Sequence, residues 1–234
     1  MTPTKPTAAA PTRVLRVAPS DLTFLLLGCF RCFYLKVVYG IRQPISIPGV
    51  FTQMDREQRA YFEGKPSKVI SPQLPPGKIT CSDASVRSAP YTTPNHDIGV
   101  CFGGALDAII YYDDGTVGIV DFKTISPTSS HIPNYTSQLH AYAFTLEHPA
   151  DPDTPAPTVQ TLGLLCLEPI KFTDLNGGRY GYPVRGQYLA DTTDDSAFAK
   201  TMDIVLRVLS RPTPPPANPK CQWCAYRDRV ASLP

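Results

Sequence analysis

Two C-x-x-C pairs stand near opposite ends of this 234-residue chain: GCFRCFYL, with Cys29 and Cys32, and KCQWCAYR, with Cys221 and Cys224. A two-residue gap lets both thiolates of a pair turn toward one ion or cluster, and two such pairs supply the four ligands of a closed site. Sharing that site would join the chain's first helix to its last segment and make binding there part of the folding free energy. Spacing alone favours zinc. Disulfides in a secreted chain are the competing use, but no secretory signal is visible and both pairs have aromatic and basic flanks. Cys81, Cys101 and Cys166 are isolated and are read as structural, the last two as small hydrophobes in apolar runs.

A composition of 42% hydrophobic and 18% charged residues suits one globular domain, expected over residues 19–234 behind a disordered leader, residues 1–18. The 26 prolines cluster in that leader and in SPQLPPGK, HPADPDTPAPT and SRPTPPPANP, which read as surface loops. A net charge of +2 permits nucleic-acid binding without arguing for it. The most apolar stretch, LTFLLLGCFRCFYLKVVYGI, is interrupted by Arg31 and Lys36, so a core helix is expected rather than a membrane span, and the protein is expected to be cytoplasmic.

Local signals place the remaining elements. Ser20 can cap a helix from Asp21 to about Tyr39, and FTQMDREQRAYF reads as a second helix from about Phe51. Lys65 to His96 reads as mostly loop with one strand. GGALDAIIYY and TVGIVDFKT, joined by Asp113-Asp114-Gly115, form the clearest hairpin. A helix from Pro133 to Glu147, a buried strand VQTLGLLCLEP and an amphipathic helix from Asp194 to Leu209 complete the order. The fold class is therefore α/β, a small mixed β-sheet flanked by helices, with its N- and C-terminal segments joined by the cysteine site.

The stretch GIVDFKTISP holds the chemistry. Strand alternation puts Ile119, Asp121 and Lys123 on one face and Val120 and Phe122 on the other, so two opposite charges share a face with a core aliphatic. On the preceding strand stands Asp107, a second carboxylate. Mg²⁺ or Mn²⁺ wants oxygen ligands, and Asp107, Asp121, the Phe122 carbonyl and waters would provide them. Lys123 would orient the water or offset developing negative charge. A lone D-x-K is otherwise an ordinary solvated pair at a strand end.

The ordered set GALD (Gly104–Asp107), DFKT (Asp121–Thr124) and QLHAY (Gln138–Tyr142) resembles the PD-(D/E)XK nuclease superfamily, in particular its RecB-like branch. That resemblance implies a restriction-endonuclease-like core and a metal-dependent (exo)deoxyribonuclease acting on single-stranded or frayed DNA ends. It gives Gln138 and Tyr142 the positioning of the lysine or of a DNA phosphate. Cluster-bearing members, the AddB-type helicase-nucleases and the exonucleases of CRISPR adaptation, carry one cysteine before the core and three after it around a [4Fe-4S] cluster. Here Val230 stands where the last ligand would fall and Cys32 is extra; the resemblance favours [4Fe-4S], and the spacing keeps Zn²⁺ as its competitor.

In such nucleases a Glu or His on the helix before the hairpin adds a metal ligand. Here the candidates are Asp55 and Glu57, each read in the first place as a solvated helix charge. His96, His131, His140 and His148 fit no ligand spacing. The chain contains no P-loop, so motor activity would come from a helicase or recombination partner. An inactive nucleic-acid-binding domain on the same scaffold is the alternative function, and a zinc-stapled scaffold with no nucleic-acid role is a third.

Overall fold

The computed structural model describes residues 11–81, 85–128, 131–192 and 194–233. The chain begins with β1 (Arg13–Val17), a short helix α1 (Pro19–Asp21) that runs into a π-turn (Leu22–Leu26), then α2 (Phe30–Tyr39) and α3 (Gly49–Phe62). Next come β2 (Gly77–Thr80), β3 (Ser85–Arg87), β4 (Ile98–Ala105), β5 (Ala108–Tyr112), β6 (Val117–Lys123) and α4 (His131–Glu147). The last part holds β7 (Val159–Pro169), β8 (Thr173–Asp174), β9 (Tyr180–Gly181), β10 (Val184–Asp191), α5 (Asp195–Leu209) and α6 (Gln222–Ala231).

The α/β class and the small mixed sheet stand as expected. The main sheet has order β10-β7-β6-β5-β2, with β6 and β7 parallel and the other neighbours antiparallel. Each face is covered. Leu139, Tyr142 and Ala143 of α4 pack on Ile119, Leu162 and Leu164, and Phe62 of α3 meets Phe122 on the opposite face at a ring separation of 5.2 Å. Burying one such aliphatic or aromatic side chain contributes about 1.5–3 kcal/mol. A second core gathers β1, β4, α2, α5 and the start of α6 around Phe33, Phe102, Met202 and Leu206.

Several sequence expectations need correction. Arg13–Val17, placed in the leader, is a strand pairing parallel with β4 from Arg13↔Ile98 to Val17↔Phe102. The rest of the expected leader, residues 1–10, lies outside the described residues. The long first helix is broken: Cys29 is extended (φ −165°, ψ 111°), and α2 starts after it. Gly28 suits this break, since a Cβ there would come 3.2 Å from the Phe24 carbonyl oxygen. The helical cap is Ala18 rather than Ser20, its N–H held by Asp21 Oδ2 at 3.2 Å. At the other end Gly40, at φ 69°, closes α2 with Gly40 and Ile41 N–H groups on the Lys36 and Leu35 carbonyls.

The loop expected between Lys65 and His96 contains two strands, β2 and β3, each in a different sheet. GGALDAIIYY is not one strand either. β4 pairs with β1 and β3, and only after the corner Leu106-Asp107 does β5 join β6. The β5–β6 turn is as expected, with Gly115 at φ 85° and Asp114 Oδ1 accepting from the Thr116 N–H and hydroxyl at 2.9 and 2.7 Å. Helix α5 also starts as expected, Asp194 accepting from the Ser196 and Ala197 N–H groups.

Candidate active site and cysteine centre

The corner after β4 sets the position of Asp107. Ala108 pairs with Val120, so one residue earlier Asp107 stands across from Asp121. Its Oδ2 accepts the Phe122 N–H at 2.8 Å, continuing the ladder with a side chain. Tyr142 fixes the other side of the corner by donating its hydroxyl to the Ala105 carbonyl at 2.9 Å. Tyr142 therefore acts on the backbone that carries Asp107 and not on Lys123.

Asp121 and Gln138 are almost fully buried. Gln138 Nε2 donates to Asp121 Oδ1 at 2.8 Å, and Lys123 Nζ lies 2.5 Å from Asp121 Oδ2. That second contact is an ion pair, and the buried Gln138 Oε1 has no hydrogen-bond partner among the described residues. The Lys123 ammonium also sits over the Tyr135 ring, 4.7 Å from its centre. Burial disfavours the Lys123 charge, but Asp121 beside it outweighs that and raises its pKa. Burial first, then the Asp121 charge, push the Asp107 carboxyl up to about 7, against the pull of the Phe122 N–H, Arg59 and Lys123.

Arg59, which sequence reasoning missed, is the fourth charged group at the site. It reaches from α3 to donate to Asp107 Oδ1 at 2.6 Å and to the Leu106 carbonyl at 3.1 Å, while its Nε is 3.1 Å from both oxygens of Asp55. Asp55 touches the site only through this guanidinium. Glu57 points to solvent and pairs with Gln53. The available signal was the four-residue step from Asp55 to Arg59 on the face that also carries Phe62. Tyr135, one turn before Gln138 on α4, was likewise missed. Beside the site a groove of about 510 Å³ runs between α3 and the β7–β10 pair, lined by Gln58, Tyr61, Phe62, Leu165 and Val184 among others. Gln58 links it to the site by donating to the Thr124 hydroxyl at 3.2 Å.

The donor set suits a hard divalent cation. Two carboxylates face each other, and the buried Gln138 Oε1 lacks a donor, which the water of a cation would satisfy. His140 does other work: its Nδ1 contacts the Thr136 carbonyl and its Nε2 accepts the Asp194 N–H.

Outside this carboxylate site Cys29, Cys32, Cys221 and Cys224 come together, all four sulfurs lying within 4.8 Å of one another. A metal can be held there. Cys166 is buried among apolar neighbours, Cys101 is buried beside the Arg87 guanidinium, and Cys81 is half-buried.

The family model of the PD-(D/E)XK nuclease superfamily matches residues 48–229. The chain belongs to the PD-(D/E)XK nuclease superfamily. The matched span contains Asp107, Asp121, Lys123 and the second cysteine pair and begins after the first pair. PD-(D/E)XK proteins are in general nucleases that use divalent metals, and membership implies a nucleic-acid substrate. A solved structure titled "Crystal structure of SSO0001" is similar at TM-score 0.48 and 14% identity, covering 94% of this chain and 87% of that one. None of the curated proteins matches the sequence. Among the described residues no helix is long and apolar enough to cross a membrane.

Proposed function

We propose that this PD-(D/E)XK protein is a RecB-like, divalent-metal-dependent deoxyribonuclease that hydrolyses phosphodiester bonds in single-stranded or frayed DNA, in repair, recombination or defence. The observation that carries the reading is the opposition of Asp107 and Asp121 across β5 and β6, with Lys123 held against Asp121. Asp107, Asp121 and the Phe122 carbonyl would hold Mg²⁺ or Mn²⁺. When bound, the cation supplies Lewis acidity at the phosphate and lowers the pKa of its water.

The chain's own residues supply the rest. Gln138 keeps Asp121 in one rotamer, and Tyr142 fixes the corner that aims Asp107. Lys123 brings a positive charge that is held in place before reaction, where charge develops on the phosphate oxygens. Single strands are favoured by the β8–β9 hairpin, which leaves the sheet at the edge where β6 and β7 end. There Phe172, Tyr180 and Tyr182 are exposed, Phe172 and Tyr180 stacked at 5.3 Å and 12°. Lys171 and Arg179 flank them, and base stacking on such rings contributes ~1–3 kcal/mol per base.

Arg59 favours the second reading, an inactive nucleic-acid-binding domain, because its guanidinium already neutralises Asp107 and no helix carboxylate reaches that position directly. Incubating the purified protein with Mn²⁺ or Mg²⁺ and end-labelled single-stranded DNA separates the two. Metal-dependent shortening of the strand supports the nuclease. Retention of label with full binding in both metals moves the conclusion to the binding module.

A further inference from the structure

The cysteine centre is built from two copies of one local device. Cys29 is the residue before α2 and Cys32 lies in its first turn; Cys221 is the residue before α6 and Cys224 lies in its first turn. Each leading cysteine is extended, with its carbonyl accepting the first helical N–H, from Phe33 and from Ala225. Two helix N-termini therefore face one another across four sulfurs, and helix N-termini favour thiolate over thiol.

The sulfurs are too close for a cubane. Cys29 and Cys224 are 3.6 Å apart, Cys32 and Cys221 3.6 Å, and Cys32 and Cys224 4.0 Å, with no pair beyond 4.8 Å. A tetrahedron of sulfurs at zinc–thiolate distance, ~2.3 Å from the centre, has edges of about 3.8 Å. A [4Fe-4S] cluster puts each thiolate on a different iron, which spreads the sulfurs to roughly 6 Å. Opening the set that far would push apart α2 and α6, where Cys29, Cys32 and Cys224 are buried against the core that includes Phe33 and Leu25.

We infer that Cys29, Cys32, Cys221 and Cys224 form a tetrahedral four-thiolate site for a single ion of the zinc class, in place of the iron–sulfur cluster that the family resemblance implies. The two-plus-two arrangement explains the cysteine exchange noted in the sequence. With Cys32 added and Val230 where a ligand would fall, the site changes from one-plus-three to two equal halves. Four thiolates and a divalent ion leave a net charge of −2, and Arg227 offsets part of it, its Nη2 3.0 Å from Cys32 Sγ. Soft thiolate ligands also exclude the Mg²⁺ or Mn²⁺ of the active site. The inference stands apart from the nuclease reading, since it concerns what the centre holds and not what the protein cleaves.

The test is metal analysis of the full chain, purified anaerobically from cells supplied with both iron and zinc. One zinc per chain in a colourless protein is expected, as is replacement by Co²⁺ with the intense visible bands of a tetrahedral thiolate complex. Anaerobic reconstitution with Fe²⁺ and sulfide tests the competing group directly and is expected to leave no band near ~400 nm. Four irons and four sulfides per chain by either route overturn the inference. So does metal-free protein whose four cysteines are cross-paired as disulfides. Arg227→Gln keeps all four ligands and is expected to retain the zinc but to release it several-fold faster to a chromogenic chelator; unchanged release overturns the role given to Arg227.

Discussion

Arg59 Nη2 lies 2.6 Å from Asp107 Oδ1, so a helix outside the sheet neutralises the carboxylate at the strand corner. Both side chains are mostly out of solvent, at 14% and 17% exposure, and breaking such a pair leaves one buried charge without compensation. Arg59→Met is expected to lower stability at pH 8 by roughly 2–4 kcal/mol, at or below the usual cost for a fully buried pair. At pH 5 the loss should shrink, because Asp107, pushed up to about 7, is then protonated. Urea denaturation at both pH values measures this, and equal losses would show that the arginine acts through packing alone.

The same carboxyl makes the metal-free protein pH-sensitive. Its folded pKa is raised from 3.8 to about 7, so between those values the folded chain binds a proton that the unfolded chain has released. Stability from this group is therefore present at low pH, declines as pH rises from about 4 to about 7, and is level above that. The groups facing it are Asp121, Arg59, Lys123 and the Phe122 N–H. A divalent cation competes with the proton, so Mn²⁺ should raise the melting temperature more at pH 8 than at pH 5. Melting in chelator and then in Mn²⁺ gives the comparison, and a shift as large at pH 5 would put the ion elsewhere.

Asp121→Asn tests the chemistry with little change of shape. The amide oxygen can still accept from Gln138 Nε2, while the hard anionic ligand and the partner of Lys123 are gone. Cleavage should fall by about 10²–10³-fold or more, the scale of losing one preorganised charged group, with DNA binding retained. A variant cleaving at the parental rate would remove Asp121 from the proposed ligand set.

Cysteine substitutions separate the staple from the thiols that merely pack. Cys224→Ser should lower the melting temperature by about 6–12 °C, the equivalent of roughly 3 kcal/mol in a chain of this size. Cys81→Ser, at a half-buried position outside the cluster, should leave it unchanged. Differential scanning calorimetry reads both, and equal effects would make the four-cysteine centre dispensable for folding.

What the sequence revealed follows the reach of the forces involved. β7 was legible because its centre, Leu162 to Leu167, is an unbroken apolar run buried on both faces, and the β5–β6 turn was legible because Asp114 and Gly115 satisfy it locally. β10 was not, since most of its residues remain exposed and its pattern carries no burial signal. The division of GGALDAIIYY between two sheets depends on Arg59 and Tyr142 reaching the corner from distant helices, which no local propensity records. Asp107, Asp121, Lys123 and Gln138 could be found because their spacing is a strand-and-helix pattern. Arg59 was missed, because an arginine between Gln58 and Ala60 on a charged helix reads as solvated despite its four-residue step from Asp55.

The contact between Cys29 and Cys224 spans 195 residues, and a ribosome makes the first of them long before the second. At 5–20 residues per second, the leading cysteine pair waits about 10–40 s for its counterpart. During that interval β1 can pair with β4 and the main sheet can assemble, while α2 has only part of its final neighbours. Closure of the cysteine centre is thus a late event in the life of each new molecule, and a polypeptide interrupted before Lys220 never reaches it. Such a fragment keeps Asp107, Asp121 and Lys123 but leaves Cys29 and Cys32 without the two thiols that complete their centre.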